Sequence, residues 1–294
     1  MRSDSHSFVD RDDRILVQMA GRPPNDKSWP EMVEGISQEY DQVAELADFR
    51  PPDLKHQRGE YPVMHAGFTF GGGAKEPHNV KKGSDDHQMA RARILRHRGL
   101  KRVAGFQSSA TSLNAPRIFK HVDRVVEDVR ERNPDLRKPF DRSVFPVATF
   151  NFGPRALTTP HRDSKNVPWG WCAVTAFGNY DYKKGGHLIL WELKQIIEFP
   201  PGSTILLPSA LITHSNTPIQ DGETRQSFTQ WCSGDLVRWH AYGQRTEETL
   251  HREDPGLQRR LHEELEGRWE RSAGMFSKRG ELQEDLKAMR EGRL

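Results

Sequence analysis

A chain of 294 residues with 34% hydrophobic and 29% charged side chains can bury one substantial core, with charged segments around it. Its net charge of +3 permits an anionic partner without requiring one. The two cysteines, Cys172 and Cys232, form no Cys-x-x-Cys pair, which excludes a zinc ribbon or a dithiol redox motif. Both fall in or beside β-prone runs and read as free core thiols of a reducing compartment. The N-terminal Met-Arg-Ser-Asp-Ser-His-Ser has no apolar h-region, and no run reaches the length of a membrane span. The sequence therefore predicts an intracellular protein with no membrane partner.

Residues 1–60 read as a helical or irregular cap. Within them a helix is expected around Trp29 to Leu46, where Met32, Ile36, Tyr40, Val43 and Leu46 recur at helical spacing, and Pro51-Pro52 ends the segment. From Tyr61 to Gly73 an apolar β-prone run leads into three glycines, Gly71 to Gly73. No Gly-Lys-Ser/Thr follows, so a nucleotide P-loop is excluded. His65 and the glycine turn are candidates for the entrance to a site. Arg91, Arg93, Arg96, Arg98, Lys101 and Arg102 form a basic run without an acid. Such a run is either a solvated helix face or a strip that tracks nucleic-acid phosphates. Ile118, Phe119, Val122, Val125, Val126 and Val129 make one stripe of an amphipathic helix over Pro116 to Asn133.

From Ser143 to Trp239 short apolar runs alternate with Gly, Pro and Asn turns. The expected strands are Val147–Phe152, Trp171–Phe177, His187–Trp191, Ile196–Phe199, Thr204–Leu207, Leu211–His214 and Gln226–Trp231. Leu257, Leu261, Leu265 and Trp269 then repeat every four residues, and a charged tail runs from Lys278 to Leu294. The fold class is α+β: a double-stranded β-helix, or jelly roll, over residues 61–240 with N-terminal and C-terminal buttressing helices. Residues 241–294 form a C-terminal helical extension.

His161 and Asp163 stand at positions i and i+2, which on a strand point to one face. In a jelly roll a later strand carrying His214 lies beside the earlier one. Two imidazoles and a carboxylate on one face are the facial triad of non-haem Fe(II) oxygenases, with positions left open for a cosubstrate and O2. Arg225 suits the distal carboxylate of a keto-diacid such as 2-oxoglutarate, because a guanidinium gives two parallel charge-assisted hydrogen bonds. Ser227 points the same way and donates another. His187 and His240 read as structural histidines.

These residues resemble a known family. Thr149-Phe-Asn-Phe-Gly-Pro, the His161/Asp163 pair, Gly170-Trp-Cys-Ala, Gly185-Gly-His-Leu-Ile-Leu-Trp, Pro200 to Ser209, His214-Ser-Asn and Glu223-Thr-Arg-Gln-Ser-Phe-Thr-Gln resemble the fungal branch of the TET/JBP 2-oxoglutarate/Fe(II)-dependent dioxygenases. Tyr61 to Gly73 and Val103-Ala-Gly-Phe-Gln-Ser-Ser-Ala resemble its N-terminal signature. The likeness spans roughly residues 60 to 240 and is most specific at the iron and arginine motifs.

The resemblance implies that 5-methylcytosine in DNA is oxidised through hydroxymethyl to formyl and carboxyl forms, or that N6-methyladenine is demethylated. The base is flipped out of the duplex and hydrogen is abstracted from its methyl group. Ascorbate is the expected reductant, duplex DNA the expected partner, and the nucleus the expected location; no protein partner is predicted. Asn151 is a candidate cosubstrate contact, and Arg155, Trp169 and Asn179 are candidate substrate contacts. Trp171 is as readily a core residue. No cysteine-rich zinc region precedes the barrel, so the basic run at 91–102 and the loops would meet the DNA backbone. The competing reading is an oxygenase of the same cofactors acting on a small molecule or a protein side chain.

Overall fold

Alternation along the strands decides the architecture. In Val147–Asn151, Ala148 and Phe150 pack against helices, whereas Thr149 and Asn151 point to the opposite face. A computed structural model describes residues 5–81, 83–264 and 266–294. In chain order the first elements are β1 His6–Val9, β2 Ile15–Gly21, α1 Trp29–Ala47, α2 Pro51–Leu54, β3 Lys55–His56, β4 Gly59–Glu60, β5 Val63–Thr69 and β6 His78–Asn79. Three helices follow: α3 Asp85–Arg96, α4 Arg98–Asn114 and α5 Pro116–Arg132. The remaining strands are β7 Val147–Asn151, β8 Cys172–Asn179, β9 Leu188–Leu190, β10 Gln195–Ile197, β11 Thr204–Leu207, β12 His214–Asn216 and β13 Thr224–Trp231. The chain ends in α6 Gly234–Ala241, α7 Glu247–Glu253, α8 Pro255–Glu263, α9 Arg268–Gly274 and α10 Leu282–Arg290.

Eight strands form one sheet in the order β1-β2-β11-β8-β13-β7-β5-β6, and three form a smaller one, β10-β9-β12. All named pairs are antiparallel. An antiparallel bridge between His161 and His214 widens the smaller sheet by one segment. The two sheets are the halves of a jelly roll.

The large sheet has two unlike faces. On its outer face Met64, Ala66, Phe150, Phe177 and Phe228 bury against Ile36, Tyr40 and Val43 of α1, Ile94 of α3 and Val103 of α4. Further along the same face Ala173 and Leu206 meet Val122, Val125 and Val129 of α5. The inner face is apolar at one end only, where Val17, Ala176, Ile205 and Leu207 pack with Leu188, Leu190 and Phe199. At the other end it carries His65, Thr149, Asn151, Arg225, Ser227 and Trp231. Gly178, opposite Arg225 in the β8–β13 register, has φ +114°, and a Cβ there would lie 2.2 Å from the Thr224 carbonyl oxygen. A side chain at 178 would therefore push apart the strand pair that seats Arg225.

Three expectations need correction. Residues 1–60 are more than a cap, because β2 hydrogen-bonds to β11 and buries Ile15 and Val17 in the domain core. The strand expected at Leu211–His214 starts only at His214, since Leu211 and Ile212 donate their N–H groups back to Pro208 in a turn. The last segment, expected as a surface helix or a frayed end, is a docked helix. Ser277 accepts from the Ile15 N–H at 2.9 Å, Phe276 is buried, and α10 packs on α5. Of the four-residue repeat, Leu257 and Leu261 are half-buried and Trp269 is exposed, while Leu265 lies outside the described residues. Cys172 and Cys232 are buried free thiols, as expected. Among the described residues no helix is long and apolar enough to cross a membrane.

Candidate active site

His161, Asp163 and His214 come together at the open end of the barrel, each offering a ligand atom within 4.8 Å of the others. The backbone arranges this. His161 and His214 exchange N–H···O bonds at 3.1 and 3.0 Å, and the Asp163 N–H is held by the Ser209 carbonyl at 2.9 Å. The Asp163 carboxylate reaches both rings, 3.8 Å from His161 Nε2 and 3.9 Å from His214 Nε2.

Each imidazole is fixed in one tautomer. His161 Nδ1 lies 2.7 Å from the Thr159 carbonyl and His214 Nδ1 lies 2.9 Å from the Ile212 carbonyl. A carbonyl only accepts, so Nδ1 carries the proton in both rings and both Nε2 lone pairs face the carboxylate. Burial, then the neighbouring His214, lowers the His161 pKa and keeps that ring neutral. The set therefore presents two imidazole nitrogens and one carboxylate to a divalent cation. Among the described residues it is the only such cluster.

Deeper in the barrel lie donors without partners. Arg225 is 4% exposed; its Nη1 donates to the Ala156 carbonyl at 2.9 Å, and its Nε is buried with nothing to bond. Tyr61 is 3% exposed and its hydroxyl is likewise buried and unpaired. Burial pushes the Tyr61 phenol up to about 12; the charges of Arg58 and Arg225 oppose the rise and that of Asp163 adds to it. Tyr61 thus stays a hydrogen-bond donor and feels both the metal triad and the cation. Ser227 Oγ accepts from Asn151 Nδ2 at 2.9 Å, and a cavity of about 60 Å³ lined by Arg225, Ala156 and Asn216 opens beside the guanidinium. Buried polar groups normally find partners. A guanidinium and a phenol left over past a three-ligand triad fit a small diacid chelated to a metal at one end.

Nearer the mouth, Thr149 Oγ1 lies 2.9 Å from both Trp231 Nε1 and His65 Nδ1. The indole only donates, so the buried hydroxyl accepts from it; its own proton or its second lone pair meets His65 Nδ1, according to the tautomer of that ring. His65 Nε2 has no protein partner among the described residues. The ring is exposed yet surrounded by protein, as on the floor of a wide opening. Desolvation, then the charges of Arg58, Arg91 and His56, lower its pKa to about 4.

The other expected contacts divide between the barrel interior and its outside. Asn151 faces Ser227 inside the barrel, with its Oδ1 buried and unpaired. Arg155 bridges to Arg225 through the backbone and lines the small cavity beside it, while its guanidinium pairs with exposed Asp221 at 2.6 Å. Asn179 is exposed beyond the Arg225 end. Trp169 and Trp171 belong to the outer face: Trp169 stands edge-on to His121 of α5 at 4.8 Å, and Trp171 is buried there because alternation turns Cys172 inward and its neighbours out. Of the basic run, Arg93 is committed to Glu39 and Gln42, and Arg102 to Asp26 and Ser28, on the outer side of the sheet. Arg98 and Lys101 line a groove there with Arg102, Phe106 and Arg142. Arg96 is exposed on the last turn of α3. Arg91 alone acts on His65. The sequence reading gave no role to Tyr61, Thr149 or Trp231; the parity of β7 and β13, Asn151 and Arg225 inward, is the signal that finds Thr149 and Trp231.

No family model and no curated protein matches this sequence. Solved structures do. NgTET1 in complex with 5mC DNA superposes with a TM-score of 0.56 at 13% identity, over 79% of this chain and 78% of that one. A Pseudomonas putida prolyl-4-hydroxylase (TM-score 0.37, 11% identity, 74% of this chain and 91% of that one) and OsALKBH1 (0.36, 10%, 67% and 91%) match more loosely. The chain has the jelly-roll fold of the 2-oxoglutarate/Fe(II) oxygenases, and His161, Asp163 and His214 within it could hold a metal ion.

Proposed function

We propose that this chain is a 2-oxoglutarate/Fe(II) oxygenase that oxidises the methyl group of a base in DNA. The observation that carries the reading is the pair of buried, unpartnered donors, Arg225 Nε and Tyr61 Oη, set past the His161–Asp163–His214 triad. Iron held by that triad would supply the oxidative decarboxylation of 2-oxoglutarate by O2, one oxygen atom going to succinate and the other to a substrate C–H bond. Arg225, Ser227 and Tyr61 would hold the cosubstrate carboxylate. A carboxylate offers only acceptors; because Asn151 Nδ2 donates to Ser227 Oγ, the Ser227 hydroxyl proton is left free to reach it. The apolar inner end, from Val17 to Phe199, keeps water away from that charge pair.

On the substrate side the neutral His65 imidazole can hydrogen-bond a base edge through Nε2, and the half-buried Trp231 indole is a flat surface beside it. Such a floor suits an extruded base. NgTET1, which shares the fold, is described with 5mC DNA, and this supports 5-methylcytosine as the first substrate to try, with N6-methyladenine second. A nuclear location follows from that substrate. Purified protein with Fe(II), 2-oxoglutarate and ascorbate should convert methylated duplex oligonucleotides to hydroxymethyl and higher oxidation products, read by nucleoside mass spectrometry. Succinate release without base oxidation on either methylated duplex would leave the oxygenase standing and favour a small molecule or a protein side chain.

A further inference from the structure

Two cations stand at the rim of this cavity with no acidic partner among the described residues. Arg58 occupies the turn between β3 and β4 and is half-buried. Its carbonyl accepts from Thr159 N at 2.8 Å and from Thr159 Oγ1 at 3.3 Å, two residues before His161. Gly59 packs so closely on the same segment that a Cβ would lie 2.4 Å from the Leu157 carbonyl oxygen. The hairpin is thereby pinned to the strand that delivers a metal ligand, and its guanidinium charge acts on Tyr61, His65 and His161.

Arg91 comes from the opposite side. Its Nη2 donates to the Lys81 carbonyl at 3.0 Å, and its Nε is buried without a partner. Lys81 follows β6, which pairs with Phe68 and Thr69 of β5, and Val80 donates to the Gly67 carbonyl at 2.9 Å. This places Arg91 along the β5 edge next to His65. Several surface arginines do find carboxylates, among them Arg93 with Glu39, Arg102 with Asp26, Arg155 with Asp221 and Arg162 with Glu192. A partly desolvated guanidinium left unpaired is costly unless an anion completes it.

We propose that Arg58 and Arg91 are a phosphate clamp, each taking one phosphodiester on either side of a single nucleotide whose base enters over His65. The substrate is then a base within a polynucleotide strand, and a free nucleoside or an amino-acid side chain is a poor one. The clamp rests on the oxygenase reading and narrows it to nucleic acid. It also divides the basic run: Arg91 serves the mouth, whereas Arg93 is held on the outer face.

The test is binding of a fluorescent methylated duplex across a salt series, with a redox-inert divalent metal and 2-oxoglutarate present. Arg58→Ala and Arg91→Ala should each weaken binding and flatten the slope of log affinity against log salt by about one. Arg58→Lys and Arg91→Lys, which keep the charge and guard against a folding defect, should restore most of the slope. Arg93→Ala should match wild type. Wild-type 2-oxoglutarate affinity in the alanine variants, by calorimetry, would show that the cavity is intact. If wild type binds the duplex and both alanine variants keep its slope, the clamp is wrong and the oxygenase reading stands. Wild type that binds 2-oxoglutarate but no duplex, or that oxidises free methylated nucleoside as fast as the strand, removes both the clamp and the DNA substrate.

Discussion

At Tyr61 packing and chemistry point in different directions. A phenol buried to this depth ordinarily bonds to a protein group, and the hydroxyl here has none. The ring itself is well held, edge-on to His56 at 4.5 Å. Tyr61→Phe keeps that contact and removes only the donor, so 2-oxoglutarate affinity should fall by about three- to tenfold, the worth of one hydrogen bond. Thermal stability without ligand should hold or rise, because a buried unpaired hydroxyl is gone. Calorimetry with a redox-inert metal reads the first effect and a melting curve the second; unchanged affinity with a lower melting temperature would place the hydroxyl's partner inside the protein instead. Residues of this kind were hard to see in the sequence. His161, Asp163, Arg225 and Ser227 announce themselves as polar pairs two apart on β-prone runs, whereas a tyrosine opening an apolar strand reads as core. Trp169 and Trp171 erred the other way: an aromatic near a metal pair suggests stacking, but both pack into the core layer that α5 covers.

Among elements, the least legible were those completed by distant chain. The apolar stripes of α1 and α5 gave their ends to within a residue or two, since each buries a continuous face. β2 carries Gln18 and Ala20 among its apolar positions and is a strand because β11 and β1 supply its ladder, which no local pattern reveals. The C-terminal segment is similar. Its charge suggests a solvated tail, yet Arg279 N donates to the Asp13 carbonyl at 2.9 Å, Arg117 pairs with Asp285 at 2.7 Å, and Phe276 and Leu286 are buried. Deleting everything after Gly274 should therefore act as a core mutation: loss of one buried phenylalanine alone costs about 3–5 kcal/mol. A fall of roughly 10 °C or more in melting temperature is expected, at about 2–4 °C per kcal/mol for a domain of this size. A truncated protein melting with the intact one would mean that the segment only rests on the surface.

For the whole molecule the large sheet acts as a partition. Helices and aromatic core cover one side; the other holds an apolar plug, a buried cation, a metal triad and an open floor, in that order toward solvent. Ligands of this barrel should consequently stabilise it in sequence, because the triad is complete without the cosubstrate whereas the cosubstrate needs the metal to anchor its keto-acid end. A redox-inert divalent metal should raise the melting temperature, and 2-oxoglutarate should raise it further only when metal is present. Saturation at a hundred times Kd adds about 2.7 kcal/mol per ligand, on the order of 5–10 °C for a domain of this size. Asp163→Ala should abolish both increments, since it removes the one anionic ligand shared by both imidazoles. Arg225→Ala should keep the metal increment and lose most of the second, because no other buried cation faces that part of the cavity among the described residues. An Asp163→Ala protein still stabilised by metal would locate the bound ion elsewhere, and an Arg225→Ala protein still stabilised by 2-oxoglutarate would move the carboxylate to another donor, with Tyr61 the first to examine.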